Sequence, residues 1–530
     1  MTIFLKNCNI ADGTGNPIFT SGILIEGNRI VDITDAPPND ENLEILDCTG
    51  MLATPGFIDA HSHNDWFTLS PDKEKYLLPF VRQGITTFVT GNCGFSVTGY
   101  EENTEYISEI GGGLFILDDE SKPYNTYSAW FSELDSKSIV NVAALAGHGS
   151  ARIGVNGKGP CELTNDRFDR MMATLEQSLN EGACGVSLGL MYEPGIFAPK
   201  EELLAIARLV KKYDRILTVH PKAMSNISLG YTTITKSHLM LALRELEEIV
   251  RETDVRFQYS HLLFIGKRTW PDEPKALEVF AELIRDGFDV GFDMYPLDYG
   301  ASIITVVLPE WFMKLDPKAR KAPFNRLKLW VMIKLTIKLL GFGFSDITIA
   351  YAGEDHQDFI GKTISQLAKE WGISEFAAYL RACEESNYEA KVLQGRYQNI
   401  EMVKRLMSHD LSLYMTDAWV EPVGKQNGGV YGAFPMFLEI AQEAGLPLEK
   451  AIAKMTGLTA KRFKLEDRGE LRPGAFADIN LIDLDRLKNR LEEELPPLGI
   501  RQVFINGKQI IRDEEYVATG PHGKSVRVSI

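Results

Sequence analysis

Between residues 55 and 465 short apolar runs alternate with helical stretches, and no other feature of the chain restricts its fold as much. Eight strand ends can be counted along it. They are His61-Ser62-His63; Thr86–Thr90 leading into Gly91-Asn92-Cys93-Gly94; Val140–Ala146 leading into Gly147-His148-Gly149; Gly185–Leu188; Ile216–His220; Arg256–His261; Asp289–Asp293; and Ser412–Asp417. Strands that alternate with helices form a parallel sheet, and eight such units close a (β/α)8 barrel. The segments 165–180 and 200–213 carry apolar residues at helical spacing and are read as two of the crossover helices.

The flanks have a different texture. Residues 1–54 and 466–530 read as short strands and turns, with Gly27-Asn28 and Asn506-Gly507 as tight hairpin turns. The two ends are expected to combine into one small β-sandwich beside the barrel of residues 55–465. The seventh and eighth strands lie too far apart for a barrel loop, so residues 299–397 are expected to form an inserted lid subdomain.

Within the insertion, Trp311 to Phe344 carries Lys314, Lys318, Arg320, Lys321, Arg326, Lys328, Lys334 and Lys338 against Asp316 alone, interleaved with Trp330, Met332, Ile333, Leu335 and Leu339. The expected role is a lid helix that covers the barrel mouth with its lysines extended into water. The competing reading is a basic amphipathic element, residues 311–344, that touches an anionic membrane surface or an acyl tail.

Composition narrows the partners. The net charge of −17 argues against nucleic acid, because phosphate binding needs a cationic footprint. The first ten residues lack the charged and long apolar regions of a signal peptide, and six scattered cysteines suit a reducing cytoplasm rather than a disulfide framework. No apolar run reaches the roughly 18 residues needed to span a bilayer.

Five of the nine histidines fall at strand ends, and together with Cys93 and Asp417 they supply imidazole, thiolate and carboxylate, the donor set of Zn²⁺. His61 and His63, one residue apart after an apolar strand, can converge on one point. The remaining histidines, His238, His356, His409 and His522, are expected at the surface.

The run Pro55-Gly56-Phe57-Ile58-Asp59-x-His61-x-His63, the β-rich termini and the late Asp417 resemble the amidohydrolase superfamily. Gly91–Gly94, Gly185–Gly195 and Asp293-Met294-Tyr295-Pro296 resemble its D-aminoacylase branch, the N-acyl-D-amino-acid deacylases. The resemblance implies one zinc held tightly by Cys93, His220 and His261, and a weaker site at His61, His63 and Asp417, with Cys93 close enough to bridge. Many superfamily members bridge two metals with a carboxylated lysine on the fourth strand, where this chain has Ser187.

The implied reaction is cleavage of a C–N amide bond in a small acylated amine, with Asp417 as the catalytic base. Two cations by which the branch holds a substrate carboxylate are missing. Leu263 stands in place of a lysine, and 425–432 contains no arginine. Tyr192, Lys222, Tyr295, Ser302, Lys425 and His148 are the remaining candidates for substrate contact. Hydrolysis of a cyclic amide or ester, and a catalytically silent scaffold, are the alternative readings; the oligomeric state is left open.

Overall fold

A computed structural model describes residues 2–529 except Asp40, 113–114, 116–123, Cys161, 229–230 and Ile234, and the side chains of Val306 and Glu310. Its centre is a parallel sheet of eight strands: β1 (Phe57–Asp59), β2 (Ile85–Thr90), β3 (Asn141–Gly147), β4 (Gly185–Gly189), β5 (Ile216–His220), β6 (Arg256–Tyr259), β7 (Val290–Met294) and β8 (Ser412–Tyr414). Each strand pairs with its neighbour in sequence, from β1 through to β8.

The seam between β8 and β1 is closed just beyond their carboxyl ends, where Ala60 N–H donates to Tyr414 C=O at 3.3 Å. Nearly every strand residue is buried, as expected when helices cover the outside and side chains fill the inside. Ile58, Val89, Ala143, Leu145, Ile216 and Leu413 belong to one apolar cluster. Phe57, Phe88, Val142, Val186 and Phe257 belong to another, shared with the helices.

The crossover helices occupy Asn165–Asn180 and Lys200–Lys212, within a residue of the spans their periodicity predicts. Thr164 begins the first by accepting a hydrogen bond from Arg167 N–H.

Strands from both ends of the chain form one nine-stranded sheet. The two ends meet where Leu52–Pro55 pairs antiparallel with Ile479–Ile482. At the second hairpin Asn506 and Gly507 both adopt positive φ, 50° and 75°, the backbone a two-residue turn between twisted strands requires.

Between β7 and β8 the strands Tyr299–Ile303, Ile347–Tyr351 and Lys391–Gly395 form a three-stranded antiparallel sheet. With three helices, Pro323–Leu340, Ile364–Trp371 and Glu375–Glu385, it encloses a core of its own that includes Phe312, Leu329, Ile333, Ile349, Leu367, Tyr379 and Val392.

Two of the four histidines expected at the surface are buried instead. His238 accepts from Ser228 N–H at 2.6 Å. His522 docks against the base of the barrel, with its own N–H donating to Ser138 C=O. His238 opens the amphipathic helix His238–Thr253 and lies on its buried face with Ala242 and Leu246, a periodicity the sequence did carry, whereas the stretch around His522 has none.

Burial pushes the His522 imidazole down to about 4, against an ordinary 6.5. The unfolded chain therefore takes up a proton in this interval before the folded chain does. The stabilisation is complete above about pH 6.5 and is lost as pH falls towards 4. His522→Gln is expected to flatten this acid limb, removing on the order of 2 kcal/mol of the stability difference between about pH 7 and pH 4.5 in urea unfolding.

Candidate metal centre

Six of the predicted side chains come together at the carboxyl ends of the barrel strands. Cys93, after β2, is the hub: its Sγ lies 3.3 Å from His61 Nε2, 3.3 Å from His220 Nδ1 and 3.5 Å from His261 Nε2. Asp417 Oδ1 lies 3.6 Å from His61 Nε2 and 3.5 Å from His63 Nε2. Among the described residues, two groups have donor atoms within 4.8 Å of one another, His61–Cys93–His261 and His61–His63–Asp417. His61 belongs to both.

The donor set fits a zinc-like ion. Bond lengths of about 2.3 Å to sulfur and 2.0–2.1 Å to nitrogen place tetrahedral S and N ligands about 3.5 Å apart, close to the separations around Cys93. Burial alone would raise the Cys93 thiol, but His61 and His220 outweigh it and hold the thiol well below its ordinary range. Burial likewise opposes ionisation of Asp417, and the adjacent His63 and His61 reverse it. Burial and His261 keep His220 low, so it favours the neutral form that a metal ligand requires.

The backbone around these residues is shaped for the purpose. Cys93, His261 and Asp417 all have positive φ, at 53°, 37° and 47°. Side chains other than glycine seldom adopt this conformation, and it is over-represented at functional sites.

Gly91 brings the Cys93 turn so close to β3 that an added Cβ would sit 2.2 Å from Leu145 O. Ser187 Oγ accepts from Gly94 N–H at 3.0 Å and donates to Gly91 C=O at 2.5 Å. The residue at the position where other superfamily members carry a metal-bridging lysine thus clamps the turn that presents Cys93.

Two supporting carboxylates escaped the sequence reading of the site. Asp293, at the end of β7, accepts from His261 N–H at 2.6 Å and lies 3.5 Å from His61 Nδ1. Asp59, in β1, accepts from His61 N–H at 3.2 Å, Thr416 N–H at 3.0 Å and the Thr416 hydroxyl at 2.6 Å. Both stood within motifs already quoted. A carboxylate buried in an otherwise apolar strand was the available signal, since it must find donors.

The substrate candidates divide. Tyr192 packs its ring 4.6 Å from His220, and Tyr295 is buried beside Leu263 and Tyr397. Burial raises both phenols far above their ordinary range, so they stay protonated donors.

Lys222 already faces Glu245 at 3.1 Å, and Lys425 lies 3.8 Å from Glu494. Ser302 lies on the half-exposed strand of the insertion. His148 is a correction: its Nε2 is engaged by Glu202 at 2.7 Å, and the same carboxylate receives Arg152 Nε at 3.1 Å. A histidine opening a helix beside a buried ion pair completes that pair rather than meeting substrate.

The amidohydrolase family model matches residues 342–511. The N-acyl-D-glutamate deacylase of Alcaligenes xylosoxydans xylosoxydans is 28% identical over 94% of this chain and 91% of its own length. The N-acyl-D-aspartate deacylase of the same organism is 27% identical over 98% and 93%. Among solved structures, the N-acyl-D-glutamate deacylase of Bordetella bronchiseptica, complexed with zinc and a phosphonate mimic of the tetrahedral intermediate, superposes with a TM-score of 0.78 at 26% identity over 99% of both chains. The chain resembles the D-aminoacylase branch of the amidohydrolases over nearly its whole length.

Asp293 gives the candidate metal centre a measurable dependence. Carboxylates behind metal-binding histidines fix ring orientation and basicity. Asp293→Asn is expected to weaken zinc affinity about 10- to 100-fold, read by competition with a chromogenic chelator, with no loss of secondary structure by circular dichroism.

Proposed function

We propose that this protein is a zinc-dependent amidohydrolase that acts as a deacylase. It cleaves the C–N amide bond of an N-acyl-D-amino acid or related acylated amine whose amine portion is less acidic than glutamate or aspartate. The observation that carries the reading is the convergence of Cys93, His61, His63, His220, His261 and Asp417 at one barrel mouth, in a chain that matches N-acyl-D-aspartate and N-acyl-D-glutamate deacylases over nearly its whole length.

Cys93, His220 and His261 would hold the principal ion, and His61, His63 and Asp417 a second. When bound, zinc acts as a Lewis acid that lowers the pKa of water and polarises a carbonyl. The remaining chemistry belongs to side chains. The Asp417 side chain is 21% exposed while the neighbouring imidazoles are almost fully covered, so it is the member of the cluster that can meet water and substrate. As a carboxylate it accepts a proton from the attacking water and returns it to the departing nitrogen. Tyr192 and Tyr295, kept protonated by burial, would donate hydrogen bonds to oxygen atoms of the substrate.

Specificity follows from what has replaced the missing cations. Leu263 is buried in one apolar cluster with Met224, Tyr295, Leu297 and Tyr397. A desolvated carboxylate against this wall would be unpaired, at a cost of several kcal/mol. An apolar side chain or acyl group gains there instead. The described cysteines, Cys8, Cys48, Cys93, Cys184 and Cys383, are all free thiols, which suits a reducing cytoplasm.

Asp417→Asn is expected to retain zinc by elemental analysis while kcat falls about 10²- to 10⁴-fold, and full turnover would refute its role as base. In a Zn²⁺-supplemented screen, N-acyl derivatives of apolar D-amino acids should give two products, free acid and amine, at higher kcat/KM than N-acyl-D-glutamate. A preference for the acidic substrate would overturn the assignment of specificity to Leu263.

A further inference from the structure

The helix Pro323–Leu340 is anchored to the insertion by a narrow stripe. Leu329, Ile333 and Leu340 are buried. On the opposite side Phe324, Leu327, Val331 and Leu335 recur at helical spacing and are 76%, 60%, 52% and 55% exposed, with Met332 and Leu339 beside them. An apolar face of this size on an otherwise charged surface marks a contact site.

Its electrostatic setting restricts the occupant. Residues 317–345 contain seven basic side chains and no acidic one, in a chain whose net charge is −17. Lys328, Lys334 and Lys338 share the exposed side of the helix with the apolar residues. Lys328 lies over the Trp311 ring at 4.0 Å and Lys334 over the Trp330 ring at 4.9 Å, so apolar surface, indole rings and ammonium groups form one patch. Apolar residues flanked by long cationic side chains suit an anionic bilayer. The apolar groups enter the acyl boundary and the lysines extend to the headgroups.

Its position gives the patch a purpose. At the carboxyl end of the helix, Leu339 C=O accepts from the Asn226 side chain at 3.2 Å and Leu340 C=O accepts from Arg268 N–H at 3.2 Å. Asn226 and Arg268 lie on the loops that follow His220 and His261.

We propose that this helix docks the enzyme on anionic lipid bilayers, with the barrel mouth beside the membrane. The contact requires neither zinc nor turnover, so it is tested independently of the reaction.

The test is sedimentation of the full chain with vesicles of phosphatidylcholine alone and of phosphatidylcholine mixed with phosphatidylserine. About tenfold greater recovery with the anionic vesicles, reversed by raised salt, is expected. Two triple variants, K328E/K334E/K338E and L327Q/V331Q/L335Q, should each reduce that recovery about tenfold with melting temperature unchanged. Equal recovery from both vesicle types, or undiminished binding by the charge-reversed variant, would overturn the proposal. A lipid-free dimer that L327Q/V331Q/L335Q dissociates would also overturn it, assigning the face to a second copy.

Discussion

One buried carboxylate holds the barrel and its chemistry in register. Asp59 lies at the seam where an eight-stranded parallel sheet must join its last strand to its first, and it takes three hydrogen bonds there, one from His61 and two from Thr416. Burial pushes its pKa up to about 7 even though these donors favour the charged form. A carboxylate in this position is tolerable only while every donor is in place. The same bonds fix the two residues that carry or adjoin ligands on either side of the seam, so closing the barrel and assembling the metal centre are a single event.

From that seam the site extends around the rim in a chain of mutual support. Asp293 holds the backbone of His261 and faces His61, while Ser187 holds the loop that presents Cys93. Three of the donors stand on left-handed backbone, which lets a strand end turn inward without a long loop. Such conformations cost of order 1–3 kcal/mol each and persist where packing leaves no alternative. Around Cys93 the close approach of Gly91 to β3 supplies that packing.

The fold was largely legible because strand burial in a parallel barrel leaves continuous apolar runs. All eight strands lie where those runs are, and the two helices read from periodicity end within a residue of their expected limits. The ligand candidates were legible because histidine and cysteine at successive strand ends are rare without a shared ion. What the sequence concealed was direction. Nothing in the residues around His148 says that its ring turns to Glu202, more than fifty residues on, and nothing around Ser187 separates a positioning role from an ordinary core polar group. The first strand is also shorter than the motif implied. It ends at Asp59, so His61 and His63 are brought together by the loop rather than by strand pleat, with rings 5.4 Å apart.

The pairing of Leu52–Pro55 with Ile479–Ile482 bears on how the molecule comes into being. A strand that immediately precedes β1 finds this partner only after the whole barrel and its insertion have left the ribosome. Until then the apolar edge of the amino-terminal sheet, with Ala53 among its core residues, is exposed to other chains. Contacts this distant in sequence form slowly. The nascent enzyme therefore passes through a period in which its barrel can be nearly built while its first fifty residues still await their partner, and protection by chaperones would matter most in that interval.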